Sequence, residues 1–173
     1  MSTFQPIIIV APPRSGSSMV ASIFAANGVW CGEHPLKRMS NTPVPYPSFE
    51  NKAIESVLRL GGRIADAVPD DCLWFFKGGP RWAWLILAQY PDAKIVKVKR
   101  KQKSILASSD AGKKHGRIAQ IKQVDKFDGP YIDSDAILKG DLSSIAEAFD
   151  YCGLRLDEGI AKKCIHPDLW HHW

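Results

Sequence analysis

The chain has 173 residues, 45% of them hydrophobic, and a formal net charge of +5, so residues 1–173 are expected to form a single domain with a substantial core. Cys31, Cys72, Cys152 and Cys164 are far apart with no Cys-x-x-Cys pair, which argues against a disulfide framework or zinc ribbon, and no leader or membrane-length apolar run is seen, so a cytoplasmic protein is expected. The basic excess suits an anionic ligand or nucleic acid, but its cations form no long block, which favours the anionic ligand.

In chain order, Ile7 to Val10 is a β-branched run of the kind found in a strand covered on both faces. Gly16, Ser17 and Ser18 follow, and Met19, Val20, Ile23 and Phe24 then recur at helical spacing, so this stretch reads strand, tight loop, helix. Gly28 to Ser48, with Pro35, Pro43, Pro45 and Pro47, reads as a long irregular connection of the kind that forms lids and binding walls. Phe49 to Val68 carries Ile54, Val57, Leu58, Leu60 and Ile64 in a helical pattern interrupted by Gly61-Gly62. Leu73 to Phe76 reads as a second strand, ending at Lys77-Gly78-Gly79. Pro80 suits the first turn of a helix with Trp82, Leu85, Ile86 and Tyr90 facing inward, and Trp74, Trp82 and Trp84 are all expected in the core. Lys94 to Arg100 is a third strand, and Ser104 to Ser109 begins another helix. Gly112 to Tyr131 shows little periodicity and reads as a mobile loop with one short helix. Ala136 to Tyr151 and Leu156 to Ile165 read as helices, and Leu169 to Trp173 as an aromatic tail docked on the body.

Strands alternating with helices predict an α/β fold, a three-layer sandwich with a central parallel sheet and a phosphate-loop-like strand-loop-helix at its start. Ligands of such sheets sit beyond the carboxyl ends of the strands. Arg14, Lys77 and Arg100 all fall at strand exits, so three cations are expected along one edge. The first N–H groups of the helix after Gly16 have no partner within it and, with the positive end of the helix dipole, favour an anion. An ATP or GTP phosphate loop places Lys and then Ser or Thr directly after its last Gly. Here Gly16 is followed by Ser17 and Ser18, and the cation, Arg14, comes two residues earlier.

APPRSGSSM resembles the 5′-phosphosulfate loop of sulfotransferases, which carry a Pro-Lys/Arg-Ser-Gly-Thr/Ser-Thr/Ser core between the first strand and first helix. KIVKVKRKQKSILASS resembles the 3′-phosphate site of the same family, where a strand-terminal Arg is followed eight positions later by Ser. FFKGGPRWAWLILAQYPDAKIVKVKR is similar to the intervening stretch of bacterial members, and the likeness covers roughly residues 6 to 110, with a weaker one at Ile165-His166-Pro167-Asp168-Leu169. The resemblance implies a sulfotransferase and P-loop NTPase-like fold, and sulfuryl transfer from 3′-phosphoadenosine 5′-phosphosulfate (PAPS) to a hydroxyl or amine. It assigns the donor to Arg14, Ser15, Gly16, Ser17 and Ser18, with Arg100 and Ser108 on the 3′-phosphate. It implies no metal, and a small-molecule or carbohydrate acceptor.

By analogy with phosphoryl transfer, Arg14 and the helix N–H groups would stabilise the leaving phosphate, and Lys77 would reach the sulfonate or the bridging oxygen. An acceptor hydroxyl also needs a base. Many cytosolic relatives carry Lys-x-His at the second strand end, but Gly79 stands where that His would be. Other branches place a Glu after the first helix, which points to Glu33 in Trp30-Cys31-Gly32-Glu33, with His34 the next choice. The family's C-terminal glycine-rich adenosine motif is not recognisable, so adenine contacts stay unassigned and catalytic competence stays open.

Two other classes compete. One is an ATP- and Mg²⁺-dependent kinase of small molecules or nucleotides with an atypical phosphate loop. The other is a non-catalytic protein that binds a nucleotide or nucleic acid. Aromatics interleaved with cations would support nucleic-acid binding, but the expected burial of Trp74, Trp82 and Trp84 argues against it, and no nucleic-acid partner is expected.

Overall fold

The computed structural model describes residues 5–32, 36–37, 46–107 and 113–165. In chain order its elements are β1 (Ile7–Val10), α1 (Ser17–Ala26), β2 (Leu36–Lys37), β3 (Tyr46–Pro47), α2 (Lys52–Arg59), a 3₁₀ turn (Ile64–Asp66), β4 (Phe75–Gly78) and α3 (Pro80–Leu87). They continue with β5 (Lys94–Lys99), α4 (Gln102–Ala107), α5 (Lys114–Val124), β6 (Tyr131–Asp133), α6 (Ser134–Ile137), α7 (Ser143–Tyr151) and α8 (Glu158–Lys163). β1 pairs in parallel with β4 on one side, Ile7 opposite Phe75, and with β5 on the other, Ile7 opposite Lys94. β6 pairs in parallel with β5, Lys97 opposite Tyr131, so the sheet order is β4-β1-β5-β6. The chain crosses from β4 past β1 to β5, and the switch point of the sheet therefore lies at the carboxyl end of β1.

Burial from both sides explains why β1 reads as an unbroken apolar run. Ile7 and Ile9 join Phe75, Val96 and Val98 in a core shared with α1, α6, α7 and α8, while Ile8 and Val10 join Trp74, Phe76 and Ile95 in a core shared with α2, α3 and α5. This is the expected three-layer α/β arrangement. Phe24 anchors α1, stacked on Phe149 of α7 with centroids 4.4 Å apart and tilted against Phe75 of β4 at 6.2 Å.

Where the fold departs from the sequence reading, local contacts account for it. The helix expected through Val68 stops at Arg59, because the chain turns at Gly61 and Gly62 N bonds back to the Val57 carbonyl (2.9 Å). Gln89 then fixes the next segment, accepting from Ile64 N (2.8 Å) and donating to the Gly62 carbonyl (3.0 Å). The second strand is shifted to Phe75–Gly78, and Trp74 makes only a single parallel bridge to Trp30. In α3 the buried positions are Pro80, Ala83 and Ile86, so Leu85 and Trp84 turn outward instead of inward. Trp84 is 53% exposed, its ring lying 4.5 Å from that of Phe127.

The largest correction falls between Gly112 and Tyr131, where α5 runs for 11 residues and β6 begins at Tyr131. Val124 is the one fully buried apolar side chain among the described residues of α5, so no apolar stripe announces this helix. β6 is short, and it reaches β5 because Gly129, at φ 131, lets the backbones approach where a Cβ would overlap the Ile95 carbonyl oxygen. The helix expected over Ala136 to Tyr151 is two helices, α6 and α7, separated by a turn at Leu138–Leu142. Within Gly28 to Ser48 the described part includes an antiparallel pairing of β2 with β3. Leu169 to Trp173 lie outside the described residues. All four cysteines are free thiols, and among the described residues no helix is long and apolar enough to cross a membrane.

Candidate anion site at the strand tips

Past Val10, Ala11 N still bonds to the Gly78 carbonyl of β4 (3.1 Å) before the chain leaves the sheet. Arg14 takes a left-handed φ of 71 and Gly16 one of 89, and Gly16 becomes the N-cap of α1. A non-glycine residue in that region is uncommon and costs on the order of 1 kcal/mol or more, strain that collects at functional loops. The first bonds into the helix run from Met19 N and Val20 N to the Gly16 carbonyl (3.1 and 3.2 Å). The N–H groups of Ser17 and Ser18 come before these and face the loop by helix geometry. Among the described residues no side chain caps this end of the 10-residue helix, an arrangement open to an external anion. A second, independent sign is Ser15, whose Oγ is buried with no hydrogen-bond partner among the described residues. Buried hydroxyls without a partner are rare in folded proteins and suit a ligand oxygen.

Cations from the two neighbouring strands flank this turn. Lys77 of β4 is only 6% exposed, and its Nζ donates to Ser18 Oγ (3.3 Å). On the other side, Arg100 follows β5 and donates from Nη1 to the Arg14 carbonyl (3.3 Å). Arg14, Lys77 and Arg100 thus come to the same edge as Ser15, Gly16, Ser17 and Ser18. Glu33, His34 and Ser108 lie outside the described residues.

One carboxylate at this edge escaped the sequence reading. Glu50 Oε1 stands 3.6 Å from Lys77 Nζ, and its Oε2 stands 3.6 Å from Lys52 Nζ. The backbone that puts it there is unusual: Phe49 has a φ of 55 with its ring buried, and Asn51 caps α2 by accepting from Ile54 N (3.1 Å). In the sequence, Glu50 is merely an acidic residue before a helix cap, and nothing local ties it to a lysine 27 positions later.

Beside the turn a cavity of about 290 Å³ is lined by Pro12, Arg100, Ile105, Ile121, Val124 and Tyr131, among others. Its wall is largely apolar with a polar edge, where the Tyr131 hydroxyl donates to Asp125. Burial and that carboxylate hold the phenol well above its ordinary range. Lys97, buried on the same side of the sheet, donates to the Phe127 carbonyl (2.9 Å) and lies 4.2 Å from the Tyr131 ring centre.

No family model matches the chain, and no curated protein matches it in sequence. Among solved structures, the sulfotransferase STF1 from Mycobacterium tuberculosis resembles it with a TM-score of 0.60 at 14% identity, over 94% of this chain and 70% of that one. A sugar kinase from Janibacter matches with a TM-score of 0.46 at 11% identity, over 86% of this chain and 98% of that one. The first likeness shows the fold: a parallel sheet between helical layers, shared with a sulfotransferase.

Proposed function

We propose that the chain is a PAPS-dependent sulfotransferase, moving a sulfuryl group to a hydroxyl or amine of a small-molecule or carbohydrate acceptor. The observation that carries this reading is the gathering of three cations from neighbouring strand tips around a turn that offers the Ser15 hydroxyl and an uncapped helix end to an anion. The layout differs from that of an ATP loop, in which the lysine follows the last glycine. Here the cations are Arg14, before Gly16, and Lys77, from the next strand. Arg100 approaches from the side of β1 opposite Lys77, which gives a nucleotide phosphorylated at two ends two separate anchors. The fold shared with the mycobacterial sulfotransferase fits the same reading.

In this reading Arg14, Ser15, Gly16, Ser17 and Ser18 hold the 5′-phosphosulfate end, and Arg100 with Ser108 holds the 3′-phosphate. Transfer forms a bond from the acceptor oxygen or nitrogen to sulfur as the bond from sulfur to the bridging oxygen breaks. Lys77 and Ser18 supply positive charge and a donor for the growing charge on that oxygen. The acceptor proton passes to a carboxylate. Glu50, with its side chain 27% exposed beside Lys77, is the carboxylate we assign to that step, with Glu33 as the competing base and His34 after it.

Calorimetric titration with adenosine 3′,5′-bisphosphate, with ATP and Mg²⁺, and with an oligonucleotide tests the donor class. The bisphosphate is expected to bind tightest and without magnesium. Preference for ATP with magnesium required would replace this reading with a kinase, and binding of the oligonucleotide alone would replace it with a non-catalytic one. For the base, Glu50→Gln is expected to lower kcat about 10²- to 10⁴-fold and to remove the low-pH limb of the rate profile, with donor affinity nearly unchanged. The same pattern from Glu33→Gln, with Glu50→Gln near wild type, would move the role to Glu33.

A further inference from the structure

We infer that Asp135 is a positioning residue that sets Arg100 for the 3′-phosphate, an inference that rests on the sulfonucleotide reading above. Asp135 is the second residue of α6, directly after β6, and its place is fixed independently of Arg100. Asp133 Oδ1 accepts from the N–H groups of Asp135 and Ala136 (both 3.1 Å), and Ser134 Oγ donates to the Lys99 carbonyl (3.1 Å). These bonds bring the Asp135 carboxylate over the tip of β5. There Oδ2 accepts from Lys101 N (2.9 Å), and Oδ1 accepts from Arg100 Nε (3.3 Å).

The guanidinium held in this way has a side chain only 5% exposed, and its Nη1 lies on the Arg14 carbonyl (3.3 Å). Asp135 takes the Nε side of the fork and the Arg14 carbonyl takes Nη1, so the guanidinium is fixed at two points beside the turn before any ligand arrives. An arginine on a free stem loses rotamer freedom when it grips a phosphate, and a fork already fixed loses less. The carboxylate also brings negative charge near an anion site, an electrostatic penalty that the enforced geometry must outweigh. Asp135 acts on the ligand through Arg100, and its effect is therefore confined to the phosphate that Arg100 recognises.

The test compares adenosine 3′,5′-bisphosphate with adenosine 5′-monophosphate on wild type, Asp135→Ala and Asp135→Asn, with thermal melting of each. In Asp135→Ala the preference for the bisphosphate is expected to fall about tenfold, while the monophosphate affinity moves less than about twofold. Added to Arg100→Ala, the same substitution changes neither affinity further, because the two residues act as one unit. Asp135→Asn keeps the size and one acceptor oxygen, so it falls between the two and serves if the alanine variant does not fold. Equal losses for both nucleotides, a gain for the bisphosphate, or losses that add to those of Arg100→Ala would overturn the positioning role and leave the sulfonucleotide reading intact. A wild-type chain with no preference for the bisphosphate would instead remove that reading, and this inference with it.

Discussion

Lys77→Ala should lower turnover about 10²- to 10³-fold with a much smaller change in donor affinity, the loss typical when one preorganised donor to developing charge is removed. The ammonium is held in place by its own burial, by Ser18 Oγ at 3.3 Å and by Glu50 at 3.6 Å. In the sulfuryl transfer proposed above it would need little reorganisation to meet charge that appears only as the sulfur-oxygen bond breaks, and its contribution would belong to the transition state more than to binding. Arginine should restore little, since a planar fork does not fit a buried point enclosed for an ammonium. Single-turnover rates with labelled donor, set beside titration with adenosine 3′,5′-bisphosphate, measure both quantities. A loss of affinity as large as the loss of rate would make Lys77 a ground-state ligand. A rate loss under about tenfold would remove it from the reaction.

Phe24→Ala is expected to destabilise the fold by about 3–5 kcal/mol, the usual cost of emptying a buried aromatic site. That is a large share of the roughly 5–15 kcal/mol that holds a domain together. The ring is inaccessible to solvent and meets Phe149 of α7 and Phe75 of β4, so its loss loosens α1 from the sheet and from α7 together. Because the N-terminus of α1 is part of the proposed anion site, nucleotide binding should decline with the folded fraction in urea. A cost below about 1 kcal/mol would show that α1 is held mainly by other contacts.

How much the sequence disclosed follows from the range of the interactions involved. β1, the turn and α1 were legible because an apolar run, a glycine and a helical pattern are adjacent in the chain and each carries its own local signal. The meeting of Arg14, Lys77 and Arg100 was legible too, once strand alternation implied parallel strands with aligned ends. α5 was legible as no more than one short helix in a loop because its residues are mostly polar and, among its described side chains, only Val124 is fully buried. β6 was missed because three residues after Gly129-Pro130 carry almost no pattern. Trp84 was misplaced because the buried row of α3 starts from Pro80 and runs through Ala83 and Ile86, passing beside the large indole. Glu50 and Asp135 are contacts of tertiary structure alone: each meets its cation across 27 and 35 positions respectively, with no spacing rule to reveal it.

The central place of β1 has a consequence for biosynthesis. Its partners, β4 and β5, begin at Phe75 and Lys94, so Ile7 to Val10 can form no hairpin with its neighbours as it leaves the ribosome. At roughly 5–20 residues per second, translation needs several seconds to supply the first mate. For that interval the nascent chain carries an unpaired, strongly β-forming segment, open to chaperone capture or to pairing with a sibling chain. Soluble yield should therefore respond to chaperone supply and translation rate as well as to the stability of the finished domain.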